Sequence, residues 1–150
     1  MQKCTLALGC FWKPEENFKN KPGILQTEVG YAGGHNPKVT YEEVCTGNTG
    51  HAEVVKLIFD ENIISFKKIL DLFFKMHDPT QKDMQYPDVG TQYRSEIFYE
   101  NEIQKKEALE IFEEYNKKKR IFYMIFFKFL KRVPFYIWQM PTCIQNLYFV

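Results

Sequence analysis

Lys3-Cys4-Thr5-Leu6-Ala7-Leu8-Gly9-Cys10-Phe11-Trp12-Lys13-Pro14 reads as a strand, a tight turn and the opening of a helix. Residues 3–8 are short and apolar enough for a buried strand. Gly9 permits the turn. Pro14 fits a first helical turn, where a missing N–H costs nothing. The predicted helix runs over about residues 14–20, and Lys21-Pro22-Gly23 ends it. Outward from this unit, residues 24–31 and Ala52–Phe59 read as strands rich in β-branched residues. Phe66, Ile69, Leu70, Phe73, Phe74 and His77 then recur at the spacing of one helical face. Ser65 suits the N-cap of that helix and Asp78-Pro79 its stop. A strand near residues 94–99 follows, then a charged helix over about residues 102–118, expected to bury Ile103, Leu109 and Phe112. The order β-α-β-β-α-β plus a helix predicts an α+β two-layer sandwich with a ferredoxin-like core.

The 150-residue chain is 45% hydrophobic and 26% charged, enough to bury one core. Its net charge of +1 gives no case for nucleic acid or a membrane surface. That total hides an asymmetry. No acidic residue follows Glu114 and no glycine follows Gly90, while residues 115–150 hold seven basic side chains. The apolar run at 121–130 is too short to span a bilayer. With no signal peptide visible, the expectation is a monomeric cytoplasmic protein without nucleic-acid or membrane partners. The four cysteines, Cys4, Cys10, Cys45 and Cys143, are too sparse for a disulfide scaffold and form no C-x-x-C pair. The reading is of no metal site. The loops at 32–50 and 78–92 are long for a compact domain, which points to function there.

Gly9-Cys10-Phe11-Trp12 is the sharpest local feature. A cysteine ahead of a helix meets free backbone N–H groups, which favour the thiolate. The expectation is a thiol that loses its proton easily, walled by two rings that suit a soft, sulfur-containing substrate. The four residues alone fit a buried core cysteine equally well. Further polar clusters fall at strand ends and in the two loops. They are Gly30-Tyr31-Ala32-Gly33-Gly34, Thr40-Tyr41-Glu42-Glu43-Val44-Cys45, Thr49-Gly50-His51-Ala52-Glu53, His77-Asp78-Pro79 and Asp88-Val89-Gly90-Thr91-Gln92-Tyr93-Arg94-Ser95.

Taken together, these motifs resemble the A-type peptide methionine sulfoxide reductases over roughly residues 5–118. The resemblance implies an enzyme that reduces peptidyl and free methionine (S)-sulfoxide and so repairs oxidised proteins. Cys10 matches the nucleophile, and Phe11 and Trp12 the wall that holds the substrate methyl. Tyr41 and Tyr93 match the phenols that bind the sulfoxide oxygen, Glu53 the acid that protonates it, and Asp88 a residue that positions substrate. The chemistry asks for such groups. Thiolate attack on the electrophilic sulfur builds charge on an oxygen that leaves poorly unless protonated. Burial should keep Glu53 protonated near neutrality. Cys10 would end as a sulfenic acid, a second thiol would form a disulfide, and an external thiol reductant (thioredoxin or dithiothreitol) would reset it. No bound cofactor is implied. Cys143 is the candidate resolving thiol by its place in the tail; Cys45 reads as structural and Cys4 as a strand residue. His51 and His77 also read as structural, against a Cys-His hydrolase alternative.

The resemblance fails after about Lys119. The domain reading is therefore residues 1–120 as catalytic domain and 121–150 as an atypical apolar and basic tail. The abrupt change in composition suggests a shifted reading frame, a hypothesis that re-sequencing the gene would settle. The tail raises the alternative of a weak or inactive relative.

Overall fold

The computed structural model describes residues 1–119 together with 128–131 and 135–137. Its elements are β1 (Gln2–Leu8), α1 (Trp12–Lys19), β2 (Ile24–Ala32), α2 (Tyr41–Cys45), β3 (Ala52–Phe59), α3 (Phe66–Met76), β4 (Met84–Gln85), β5 (Asp88–Val89), β6 (Ser95–Tyr99), α4 (Glu102–Lys119), β7 (Lys128–Lys131) and β8 (Phe135–Ile137). The main sheet has the order β7-β6-β1-β3-β2-β8. Its four central strands, β6-β1-β3-β2, are antiparallel throughout. With α1 and α3 as the crossovers, this is the ferredoxin-like core that the element order predicted. β7 runs parallel to β6 and β8 antiparallel to β2, so segments beyond residue 120 extend the sheet at its two edges.

Side chains alternate across the strands and divide the core in two. Leu6, Val55, Leu57 and Ile97 face a large cluster with Phe18, Ile69, Phe73 and Phe74 from α1 and α3. Ala7, Ala32, Ala52, Val54 and Phe98 form a smaller cluster on the opposite face. The stripe on α3 is buried as its periodicity requires, and the Ser65 side chain caps it by accepting from the Lys68 N–H at 3.2 Å.

Three expectations need correction. On α4, Ile103 is 73% and Leu109 is 41% exposed, while Gln104 and Ala108 are buried and Phe112 packs at the core edge. The inward face includes polar groups that find partners. Gln104 donates to the Lys3 carbonyl at 2.9 Å, and the Tyr115 hydroxyl donates to Asp71 at 2.8 Å. A hydrophobic count alone misplaces such a face. The first loop is not all irregular: Thr40 and Glu43 form a reciprocal capping box that starts the short α2. The second loop contains the β4–β5 hairpin and a 3₁₀ turn at Thr91–Tyr93.

Candidate active site

Gly9 sits between β1 and Cys10 with φ +91°, and a side chain there would meet Gln85 Cβ at 2.8 Å. The chain turns sharply at this point while the 78–92 loop lies directly over it. Gln85 fixes that loop, accepting from the Asp78 N–H and donating to the Asp78 carbonyl, both at 2.9 Å. Asp88 is thereby carried, half-buried, to within electrostatic reach of Cys10 and Glu53.

Cys10 is half-buried ahead of α1, which begins at Trp12. Glu53 comes from β3 on the helix-facing side and is 3% exposed. Its Oε2 accepts from the Phe11 N–H at 3.1 Å, and its carboxylate accepts from the Cys10 thiol. Phe11 is buried against Trp12 and Tyr31, with ring centroids at 5.4 and 5.9 Å. Trp12 is 36% exposed and forms part of the rim. Tyr93, half-buried, lies within electrostatic reach of Glu53, Asp88, Cys45 and Cys10. Tyr41, 40% exposed at the head of α2, is hydrogen-bonded to the Cys45 thiol. The catalytic and substrate-binding candidates within the described residues therefore share one site. Cys143 lies outside the described residues.

Electrostatics revise one expectation. Burial pushes the Cys10 thiol up to about 11, against the expected fall. The Trp12 N–H does reach the sulfur and favours the thiolate. The Phe11 N–H, however, is spent on Glu53, and desolvation together with the carboxylates of Glu53 and Asp88 outweighs what remains. Glu53 shifts in the expected direction, though less far than full protonation requires: desolvation raises it to about 7, so protonated and ionised forms are both populated near neutrality. Burial pushes Tyr93 up to about 12, which keeps its phenol a donor. Tyr41 also reaches about 12, through its bond to Cys45. Cys45 is exposed and hydrogen-bonded to Tyr41, while Cys4 is a buried residue of strand β1, as expected.

Both histidines are structural. His51 Nδ1 accepts from the Gly34 N–H at 3.2 Å and Nε2 donates to the Asn36 carbonyl at 2.8 Å. A side chain at position 34 would collide with that ring, which accounts for the second glycine of the pair. His77 donates from Nδ1 to the Phe73 carbonyl at 2.7 Å and accepts from Ser95 Oγ at 2.9 Å. Neither ring nitrogen is left to serve Cys10 as a base. Among the described residues no group of three His, Cys, Asp or Glu side chains could hold a metal ion.

The sequence reading missed Arg94. Its guanidinium donates to the Thr91 and Gly50 carbonyls at 2.9 and 3.0 Å and pairs with buried Glu96 at 3.0 Å. Thr91 Oγ1 adds a bond to the Gly47 carbonyl at 3.3 Å. These bonds tie the strand that carries Glu53 to the turn that carries Tyr93. Arg94→Met is expected to cost about 3 kcal/mol, because Glu96 would stay buried without its guanidinium partner. Denaturant titration measures this; a change below about 1 kcal/mol would mean that the clamp matters little.

Comparison with known proteins agrees with this geometry. A family model described as peptide methionine sulfoxide reductase matches residues 2–138. The peptide methionine sulfoxide reductase MsrA of Methanosarcina acetivorans is 56% identical over 117 residues, which are 78% of this chain and 62% of that protein. The chain thus spans less than two thirds of that relative's length. Mxr1 from Saccharomyces cerevisiae in reduced form superposes with TM-score 0.83 at 35% identity, covering 92% of this chain and 80% of that one. Mxr1 in complex with Trx2 superposes with TM-score 0.65 at 26% identity, covering 91% and 79%. A half-buried thiol bonded to a buried, half-protonated carboxyl, on this fold and with this extent of match, places the chain in the peptide methionine sulfoxide reductase family.

Proposed function

We propose that the protein reduces the (S)-sulfoxide of methionine, free and in peptides, with Cys10 as nucleophile and residues 1–120 as the catalytic domain. The observation that carries this reading is the hydrogen bond between the Cys10 thiol and a buried carboxyl raised to about 7, with two phenols within electrostatic reach. A sulfoxide needs those functions in one place. Phe11 and Trp12 hold the substrate methyl, and Asp88 helps to orient the substrate. The Cys10 proton passes to Glu53, and the thiolate forms a bond to the sulfoxide sulfur. Glu53 returns the proton to the oxygen while Tyr41 and Tyr93 donate hydrogen bonds to it. The hydroxyl moves to the Cys10 sulfur as the bond between the two sulfurs breaks. The thioether leaves with two more electrons, and Cys10, oxidised by two, remains as a sulfenic acid.

Resetting needs thiol electrons. A second thiol condenses with the sulfenic acid, water leaves, and an external dithiol reduces the disulfide. The complex of Mxr1 with Trx2 supports a thioredoxin as that dithiol. Cys143 is our candidate for the second thiol within the chain. A reducing, cytoplasmic setting suits Cys4, Cys10 and Cys45, which are all free.

Purified protein is expected to turn over N-acetyl-L-methionine (S)-sulfoxide with dithiothreitol and to leave the (R) epimer, because only one epimer sets its oxygen against the phenols while its methyl meets Phe11 and Trp12. Chiral chromatography of the residual substrate measures this. Equal consumption of both epimers would contradict the assigned pocket. A folded protein without turnover would favour the inactive relative.

A further inference from the structure

Tyr31 belongs to the same pocket and has no role in the steps above. It lies on β2 directly opposite Glu53 in the strand register, and its ring rests against Phe11 at 5.9 Å. The residue is 1% exposed, yet its hydroxyl has no hydrogen-bond partner among the described residues. That hydroxyl lies within electrostatic reach of Glu53, Cys45, Tyr41 and Tyr93, which sets it among the residues of the site.

A buried hydroxyl without an acceptor weakens a fold, and phenylalanine would fill the same slot without that cost. The missing acceptor must be small, because Tyr31 is almost fully buried with its ring against Phe11. It must also come to lie among the other donors. A sulfoxide oxygen meets both conditions, and a thioether, which has only a weakly accepting sulfur, does not. Burial and the Glu53 carboxylate push the Tyr31 phenol above its ordinary value, so it stays a donor across the working pH range.

We infer that Tyr31 is a third phenolic donor to the substrate oxygen, set below Tyr41 and Tyr93, and that it separates sulfoxide from thioether. This rests on the reductase reading above. Once the oxygen has left, the phenol again lacks an acceptor, which favours release of the thioether product.

The test is Tyr31→Phe, assayed for kcat/KM with N-acetyl-L-methionine sulfoxide and dithiothreitol. Binding of that sulfoxide and of N-acetyl-L-methionine is measured by calorimetry in a Cys10→Ser background, and melting temperature is recorded alongside. The expected result is a loss of about tenfold in kcat/KM and in sulfoxide affinity. Thioether affinity should not change, and the melting temperature should hold or rise. Unchanged kcat/KM, or an equal loss of affinity for sulfoxide and thioether, would overturn the inference while leaving the reductase reading intact. Absence of turnover in the wild type would overturn the reductase reading and this inference with it.

Discussion

Cys10→Ser is expected to lower methionine release by on the order of 10⁴-fold or more in the dithiothreitol assay, with the fold intact. The size follows from the chemistry: an alkoxide is unavailable at this site, and oxygen cannot take up the sulfoxide oxygen as sulfur does. The fold should survive because Cys10 is only half-buried and is not one of the residues that form the core clusters. A serine hydroxyl can accept from the same Trp12 N–H. The matching substitutions Cys4→Ser and Cys45→Ser serve as controls in the same assay. Cys4 is fully buried in the core, so its loss should affect stability rather than chemistry. Activity within tenfold of wild type in Cys10→Ser would remove the nucleophile from the account.

Glu53→Gln is expected to lower kcat by on the order of 10²–10³-fold and to change the shape of the pH profile. Cys10 and Glu53 titrate as a pair, at about 11 and about 7. Below about 7 both keep their protons. Between the two values the pair holds one proton, and thiolate with carboxylic acid is a tautomer of that state. The wild-type kcat/KM should therefore rise with pH through about 7, level off, and fall towards about 11. In Glu53→Gln the rise near 7 should vanish and the rate should follow the thiol alone into alkaline solution. Stability gives a second reading with a definite sign. The folded carboxyl sits above its ordinary value of about 4.5, so the fold loses stability as pH rises from there to beyond 7. The glutamine variant should thus gain on wild type by about 3 kcal/mol between pH 4.5 and pH 8. Parallel pH profiles for wild type and variant would contradict the assigned acid.

The core was legible because its signals are periodic. The α3 stripe and the apolar runs of β1 and β3 can be buried in only one way, and strand order followed from chain order. α2 was not read from the sequence: it is too short for periodicity to mark, and the reciprocal Thr40–Glu43 capping box that starts it emerges only in the fold. The face of α4 was not legible. Gln104 and Tyr115 turn inward because partners on β1 and α3 await them, and those partners are distant in sequence. The same limit applied to the site. Motif residues such as Glu53 and Tyr93 could be named, but the Arg94 clamp that relates them depends on carbonyls of Gly50 and Thr91. The Cys10 thiol misled for a similar reason. Its place before a helix is local and readable, whereas the burial that raises it, and the carboxylates on β3 and in the hairpin after Gln85 that add to the rise, are products of the fold. Tyr31 stood in the Gly30–Gly34 cluster but was given no role, since a tyrosine in a strand is ordinarily core.

The central claim is that oxygen passes from the sulfoxide to Cys10. Fully reduced protein, mixed with one equivalent of N-acetyl-L-methionine (S)-sulfoxide and no reductant, can be quenched with a sulfenic-acid trap and read by peptide mass spectrometry. The account predicts one N-acetylmethionine released per chain, with the peptide bearing Cys10 either carrying the trap or joined in a disulfide. Release of the thioether with Cys10 still a free thiol would contradict it.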